Sequence, residues 1–326
     1  MIGGIIGDMI GSCHEGRKVR FDADGLLVGH ERNTVYTPFD EPKELFHDGL
    51  TFTDDTVLLL ASASAIYKGK TYSDEYLRFF QMFGIGKNEW YKGEGIGYGC
   101  LFIDWATREP GEPRRPYYSY GNGSAMRVPP LPYAYSRMIE LINKSYESAV
   151  CTHNHNEGIK GAQALSMAMW MAMNKATIPE IKDLIEQQFN YSLDFNLDEL
   201  IKNYVFKPTC QESLPQALWC ALEGPDFETV MRRCLLIGGD TDTICCMAGA
   251  LAEILYGIPK GWEDLARKIM RRDGPYLDDV YVDFVNRYMN KELSDELPSE
   301  SVGFWGKIKA RIFLPKEKAQ HKENLC

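Results

Sequence analysis

Apolar residues recur at helical spacing along most of the chain, and some runs are apolar on nearly every face. Asp54–Tyr67 (DDTVLLLASASAIY) is of this second kind. It predicts a buried helix, with Thr53 placed to cap it. Glu157–Met173 (EGIKGAQALSMAMWMAM), Phe227–Ile237 and Thr243–Tyr256 (TICCMAGALAEILY) are also helical in pattern, the last closed by Gly257 with Pro259 shortly after, a normal C-terminal signal. The same spacing covers Asp74–Phe83, Pro179–Gln188, Leu214–Leu222, Trp262–Met270 and Asp278–Asn290. Strand-type alternation is confined to Gly25–His30 and Arg32–Tyr36, a candidate small hairpin. The expected fold is all-α: a single compact multi-helix domain over residues 1–295, then a polar tail over 296–326 that ends KEKAQHKENLC.

Composition adds limits. The 326 residues are 44% hydrophobic and 25% charged, ordinary for a soluble globular chain. Nine cysteines show no CxxC spacing, and the opening MIGGIIGDMIG is too short and glycine-rich for a signal segment. Both point to reduced thiols in a cytoplasmic protein, where the sequons at Asn122, Asn143 and Asn190 are accidental. No apolar run approaches the ~20 residues of a membrane span. The net charge of −10 argues against nucleic-acid partners. An anionic small ligand would have to be met locally, by backbone N–H groups, a few cationic side chains and metal ions.

The chemistry is concentrated in two acidic stretches, TFTDDT (51–56) and GGDTDT (238–243), each opening an apolar helix. Alone, either reads as helix capping: Thr53 caps, and acids in a first turn suit the macrodipole. Together they gather hydroxyl and carboxylate oxygens that repel one another unless a cation intervenes. Adjacent carboxylates on a helix point roughly 100° apart, so Asp54 and Asp55 can grip one ion from two sides or reach two ions. Hard oxygen donors of this kind suit Mg²⁺, Mn²⁺ or Ca²⁺ rather than zinc.

These stretches belong to an ordered set: GIIGDMIGSCHE (4–15), TDDT (53–56), GYG (97–99), GNGSAMR (121–127), THNH (152–155) and GGDTDT (238–243). In that order and spacing the chain resembles the ADP-ribosylglycohydrolase family, which includes the dinitrogenase reductase-activating glycohydrolases, from residue 3 to about residue 260. The resemblance implies an all-α fold around a binuclear centre of two divalent cations, Mg²⁺ or Mn²⁺. It implies Thr53, Asp54 and Asp55 as a first ligand set and Asp240, Asp242 and Thr243 as a second. Asp55 then steers a water and Glu15, closing a GDxxGxxxE pattern, assists proton transfer or gates the site, while Asp8 is structural. Gly97, Tyr98 and Gly99 form a ligand-lining turn. Asn122, Gly123 and Ser124, in the GNGS loop, cradle phosphates and the distal ribose, with glycines admitting backbone close to the ligand and Asn122 and Ser124 offering donors. Arg127 is either a phosphate partner or a clamp.

His153 and His155 have an HxH metal-ligand spacing but no third histidine or cysteine ligand nearby; the resemblance sets His153 beside the ribose pocket instead. Cys245 and Cys246 fall inside an apolar helix and read as core. The implied activity is metal-dependent hydrolysis of the glycosidic bond between ADP-ribose and a modified side chain, arginine or serine, through an oxocarbenium-like transition state. The alternatives are hydrolysis of a free metabolite such as O-acetyl-ADP-ribose, a non-catalytic ADP-ribose-binding protein, and a two-metal phosphohydrolase cleaving the pyrophosphate. The partner is accordingly ADP-ribose or an ADP-ribosylated protein, with no membrane or nucleic acid involved.

Overall fold

The computed structural model describes residues 1–84, 97–109 and 112–290. The chain opens with helix α1 (Ile2–Ser12), then a three-stranded antiparallel sheet of β1 (Lys18–Phe21), β2 (Leu27–Arg32) and β3 (Val35–Lys43) in sequential order. Helices follow: α2 (Asp54–Lys68), α3 (Tyr72–Phe83), α4 (Cys100–Thr107), a short α5 (Leu131–Ala134), α6 (Met138–Val150), α7 (Asn156–Met173) and α8 (Ile178–Phe189). The remainder are α9 (Leu197–Asn203), α10 (Cys210–Glu223), α11 (Phe227–Ile237), α12 (Thr241–Tyr256), α13 (Trp262–Asp273) and α14 (Pro275–Phe284). The all-α expectation holds, with the small sheet as its one exception among the described residues. The candidate hairpin gains a third strand, and Asp278–Asn290 divides into α14 and a π-helical turn, Val285–Met289. The tail expected at 296–326 lies outside the described residues.

Two helices form the centre. Helix α2 is buried without interruption from Asp54 to Ala65, and α12 from Thr241 to Ala252. Each leucine buried in the run Val57–Leu60 contributes roughly 1.5–3 kcal/mol, which lets an acidic first turn be held in the interior. Helix α1 escapes the periodicity reading because glycine fills its inner face. Gly3, Gly7 and Gly11 recur every fourth residue, and a Cβ on Gly7 would stand 2.0 Å from the Cys245 carbonyl oxygen, one on Gly11 2.2 Å from that of Thr241. The backbones of α1 and α12 therefore touch, a crossing only glycine permits. It draws Asp8 of α1 toward the starts of both α2 and α12. Cys245 and Cys246 are buried in this core, as their setting in the sequence requires, and the eight described cysteines are free. Among the described residues no helix is long and apolar enough to cross a membrane.

Candidate metal centre and its cavity

The start of α2 is fastened by Asp8. Its carboxylate accepts from the Thr53 N–H at 2.9 Å, the Thr53 hydroxyl at 2.7 Å, the Thr56 N–H at 3.0 Å and the Thr56 hydroxyl at 2.5 Å. Four donors use up its lone pairs, so Asp8 acts as the structural residue expected. Thr53 also caps the helix, its hydroxyl oxygen accepting from the Asp55 N–H at 3.3 Å. Capping and metal ligation are compatible here: the Thr53 proton is committed to Asp8, which leaves the oxygen free to turn a lone pair outward.

At the start of α12, Asp240 is the N-cap residue and Asp242 lies in the first turn. The Asn122 amide donates to Asp240 Oδ2 at 2.6 Å and to the Ser213 hydroxyl at 3.1 Å. Asp242 Oδ1 accepts from the Thr243 N–H at 2.9 Å, and the Thr243 hydroxyl reaches across to Asp55 Oδ2 at 3.2 Å. Two overlapping clusters result: Asp8, Asp55 and Asp242 offer oxygens within 4.8 Å of one another, as do Glu15, Asp240 and Asp242. Asp242 is common to both. Asp54 joins neither and lies on the cavity wall.

The charge at this point is large and uncompensated. Asp8, Asp54, Asp55, Asp240 and Asp242 are all at most 7% exposed, and among the described residues none is ion-paired to a cationic side chain. Burial above all, then neighbouring carboxylates, pushes Asp54, Asp55 and Asp242 well above the usual aspartate range. Glu15, exposed at the rim, is raised by partial desolvation and then by the Asp240 charge. Asp55 Oδ1 is buried with no partner among the described residues. An orphaned carboxylate oxygen inside an all-oxygen cluster of net negative charge fits a hard divalent cation. Residues outside the cation's reach matter too, because they aim its ligands. Asn122→Ala frees Asp240, and metal affinity measured by calorimetric titration is expected to fall about 10–100-fold.

The cluster forms the floor of a cavity of about 420 Å³, whose wall includes Gly97, Gly99, Gly121, Asn122, Gly123 and His153. Two expected wall residues lie behind it instead. The Tyr98 ring stacks on Phe102 at 5.3 Å and meets Phe80 edge-on, since an apolar slot beside α4 takes an aromatic ring more readily than the polar cavity does. The Ser124 hydroxyl donates to the Gly158 carbonyl at 2.7 Å and pins the loop to α7; it is spent there as a loop fastener and offers no donor to a ligand. Gly97 has a stronger reason to be glycine than loop freedom alone. Its φ is +81° and a Cβ there would stand 2.5 Å from Asp54 Oδ1. Gly97→Ala is expected to cost about 1–3 kcal/mol in backbone strain, read as a lowered melting temperature, and to displace the Asp54 carboxylate.

His153 turns Nδ1 to the Thr152 hydroxyl at 2.8 Å and Nε2 toward Gly121 and Gly123. Burial first, then the Arg127 cation, holds its pKa well below the ordinary range, so the ring is neutral. His155 instead caps α7, its Nδ1 accepting from the Glu157 N–H; the HxH pair is thus divided between two duties. Arg127 is fully buried on the cavity wall. It donates to the Ser148 carbonyl and the Thr152 hydroxyl, both at 2.7 Å, and lies 4.1 Å over the Tyr76 ring, which makes it a clamp on the turn that carries His153. Sequence reasoning misses the Asn122–Asp240 bond, because nothing in GNGS signals a partner 118 residues away.

A family model described as ADP-ribosylglycohydrolase matches residues 1–293. ADP-ribosylhydrolase ARH3 of Homo sapiens is 26% identical over 322 residues, spanning 81% of this chain and 86% of that protein. The Bos taurus ADP-ribosylhydrolase ARH3 is 24% identical over 355 residues, spanning 90% and 93%. Among solved structures, an ADP-ribosylglycohydrolase-related protein complex covers 87% of this chain and 95% of its own at a TM-score of 0.60 and 22% identity, a likeness of fold. With the family match running through every motif and through the whole acidic centre, this glycohydrolase belongs to the ADP-ribosylglycohydrolase family.

Proposed function

We propose that the protein is a metal-dependent hydrolase that cleaves the glycosidic bond between ADP-ribose and a modified arginine or serine side chain. One observation carries the reading: two carboxylate clusters, buried except for Glu15 at the rim, share Asp242 on the floor of a cavity bounded by glycine loops. The likeness to the ADP-ribosylhydrolase ARH3 relatives supports an ADP-ribosyl substrate.

In this reading Thr53, Asp54, Asp55, Asp240, Asp242 and Thr243 hold two divalent cations, Mg²⁺ or Mn²⁺. Such ions supply substrate orientation and a lowered water pKa. Asp55 Oδ1, the unpartnered oxygen, accepts a hydrogen bond from the attacking water and sets its approach to the anomeric carbon. Glu15 at the rim takes the proton onward or gates entry. The Gly121–Gly123 backbone admits the phosphates, and neutral His153 borders the ribose. Gly97 and Gly99 complete the wall. The catalytic unit is residues 1–295, in the cytoplasm, where reduced cysteines persist.

The test is a turnover assay with Mg²⁺ and with Mn²⁺ on an ADP-ribosyl-arginine peptide, an ADP-ribosyl-serine peptide and O-acetyl-ADP-ribose. Released ADP-ribose is followed, with EDTA and Asp242→Ala as controls. Metal-dependent release from either peptide is expected. Release only from O-acetyl-ADP-ribose moves the substrate to a free metabolite, and tight ADP-ribose binding without any release makes the protein a binder.

A further inference from the structure

Two consecutive glycines precede Asp240, and both are left-handed, Gly238 at φ +75° and Gly239 at φ +83°. Such a pair has little conformational preference of its own, so the turn that delivers Asp240 must be set from outside. Asp240 does not set it. As the N-cap residue of α12 it makes no side-chain capping bond, and the bond it accepts from Asn122 fixes a carboxylate oxygen, not the backbone.

Two neighbours hold the turn. The Gly16 N–H donates to the Gly239 carbonyl at 2.7 Å, and the Arg17 carbonyl oxygen would stand 2.7 Å from a Cβ on Gly238. The segment that carries Glu15 therefore braces the glycines from one direction. Tyr204 braces them from another. Its Cε1 and Cδ1 would lie 2.6 and 3.1 Å from a Cβ on Gly239, so the ring edge rests against bare backbone where a side chain would collide.

Tyr204 is itself fixed at both ends. Its N–H closes α9 on the Leu200 carbonyl at 2.9 Å, and its hydroxyl donates to the Glu212 carbonyl at 2.7 Å. The residue is buried, and it also borders a separate cavity of about 550 Å³. A smaller side chain would leave the glycine turn facing that open space.

We propose that Tyr204 is a positioning residue for the metal centre. Through Gly239 its ring sets the Asp240 backbone, and with it the spacing of Asp240 from Asp242 and Glu15. The proposal rests on the reading of Asp240 as a metal ligand and extends it to a residue that touches no ion. The ring, not the hydroxyl, meets the turn, so Tyr204→Phe should keep the effect and Tyr204→Ala should lose it.

The test is calorimetric titration of the EDTA-stripped full chain with Mg²⁺ and with Mn²⁺, beside thermal melts of the same samples. Tyr204→Ala is expected to weaken binding about tenfold or more, with Tyr204→Phe close to wild type. Tyr204→Leu, which keeps apolar bulk without a flat edge, should fall between them and carries the comparison should Tyr204→Ala not fold. Tyr256→Ala controls for lost stability. Tyr256 closes the opposite end of α12, its hydroxyl donating to the Ala221 carbonyl at 2.9 Å, about 21 Å along the helix from Asp242. That variant should lower the melting temperature and leave metal affinity unchanged. Wild-type affinity in the folded Ala or Leu variant, an equal loss in Tyr204→Phe, or an equal loss in Tyr256→Ala would each overturn the proposal alone. A wild type that binds neither ion would instead overturn the metal reading and this proposal together.

Discussion

Asp55→Asn is expected to lower turnover by about 10³-fold, equivalent to ~4 kcal/mol of lost transition-state stabilisation, while raising the melting temperature of the metal-stripped protein. The two effects have one origin. Asp55 is 1% exposed, its Oδ1 has no partner among the described residues, and its Oδ2 faces the hydroxyls of Thr243 and Thr53. The amide keeps the shape, removes a charge that burial and Asp8 oppose, and can donate toward a neighbouring carboxylate. It is therefore a better residue for the fold and a worse one for the chemistry. Asp8→Asn is expected to move stability the other way, because Asp8 accepts from four donors and an amide nitrogen in place of either oxygen would face at least two of them. The loss there is about 1–3 kcal/mol. Steady-state kinetics with metal content measured on the same samples, and thermal melts of stripped protein, read both signs. Wild-type turnover by Asp55→Asn at full metal occupancy would remove Asp55 from the reaction.

How much of this was legible in the chain follows from the range of each signal. Helices α2, α7, α11 and α12 are legible because their apolar residues repeat locally, and their observed starts fall within two residues of the expected ones. Helix α1 is illegible for a physical reason: its inner face is Gly3, Gly7 and Gly11, which contribute backbone contact rather than hydrophobic area. The carboxylates announce themselves because two acid pairs at helix starts are costly without a cation. Their grouping does not. It depends on the α1–α12 crossing, which makes Asp242 common to both clusters and leaves Asp54 on the wall. Glu15 joins Asp240 and Asp242 through a turn in which the Gly16 N–H donates to the Gly239 carbonyl at 2.7 Å, a contact no local pattern encodes. Tyr98 and Ser124 show the reverse error: a motif marks the turn or loop that lines the cavity, but not which of its side chains turn inward.

Removing the divalent cations is expected to reverse the protein's dependence on pH. In the stripped, folded chain Asp54, Asp55 and Asp242 keep their protons well above the ordinary aspartate value of 3.8, because burial and then neighbouring carboxylates penalise the charged form. In the unfolded chain they release those protons near 3.8. Above that value the native state binds more protons than the unfolded one, so unfolding free energy falls as pH rises from 3.8 through the raised native values. A surface aspartate paired to a cation behaves oppositely. The stripped protein should therefore melt higher at about pH 5 than at about pH 7.5, against the neutral optimum common among proteins. A bound cation takes the place of those protons. At a concentration about 1,000 times its dissociation constant it adds ~4 kcal/mol, and it does so most at the higher pH, where the carboxylates are free to bind it. The net charge of −10 also favours mild acidity, so the cluster is isolated by comparing wild type with Asp242→Asn in EDTA and in Mg²⁺. If the stripped wild type and variant share one pH dependence, the buried aspartates are not what sets it, and the case for cations balancing their charge loses its energetic ground.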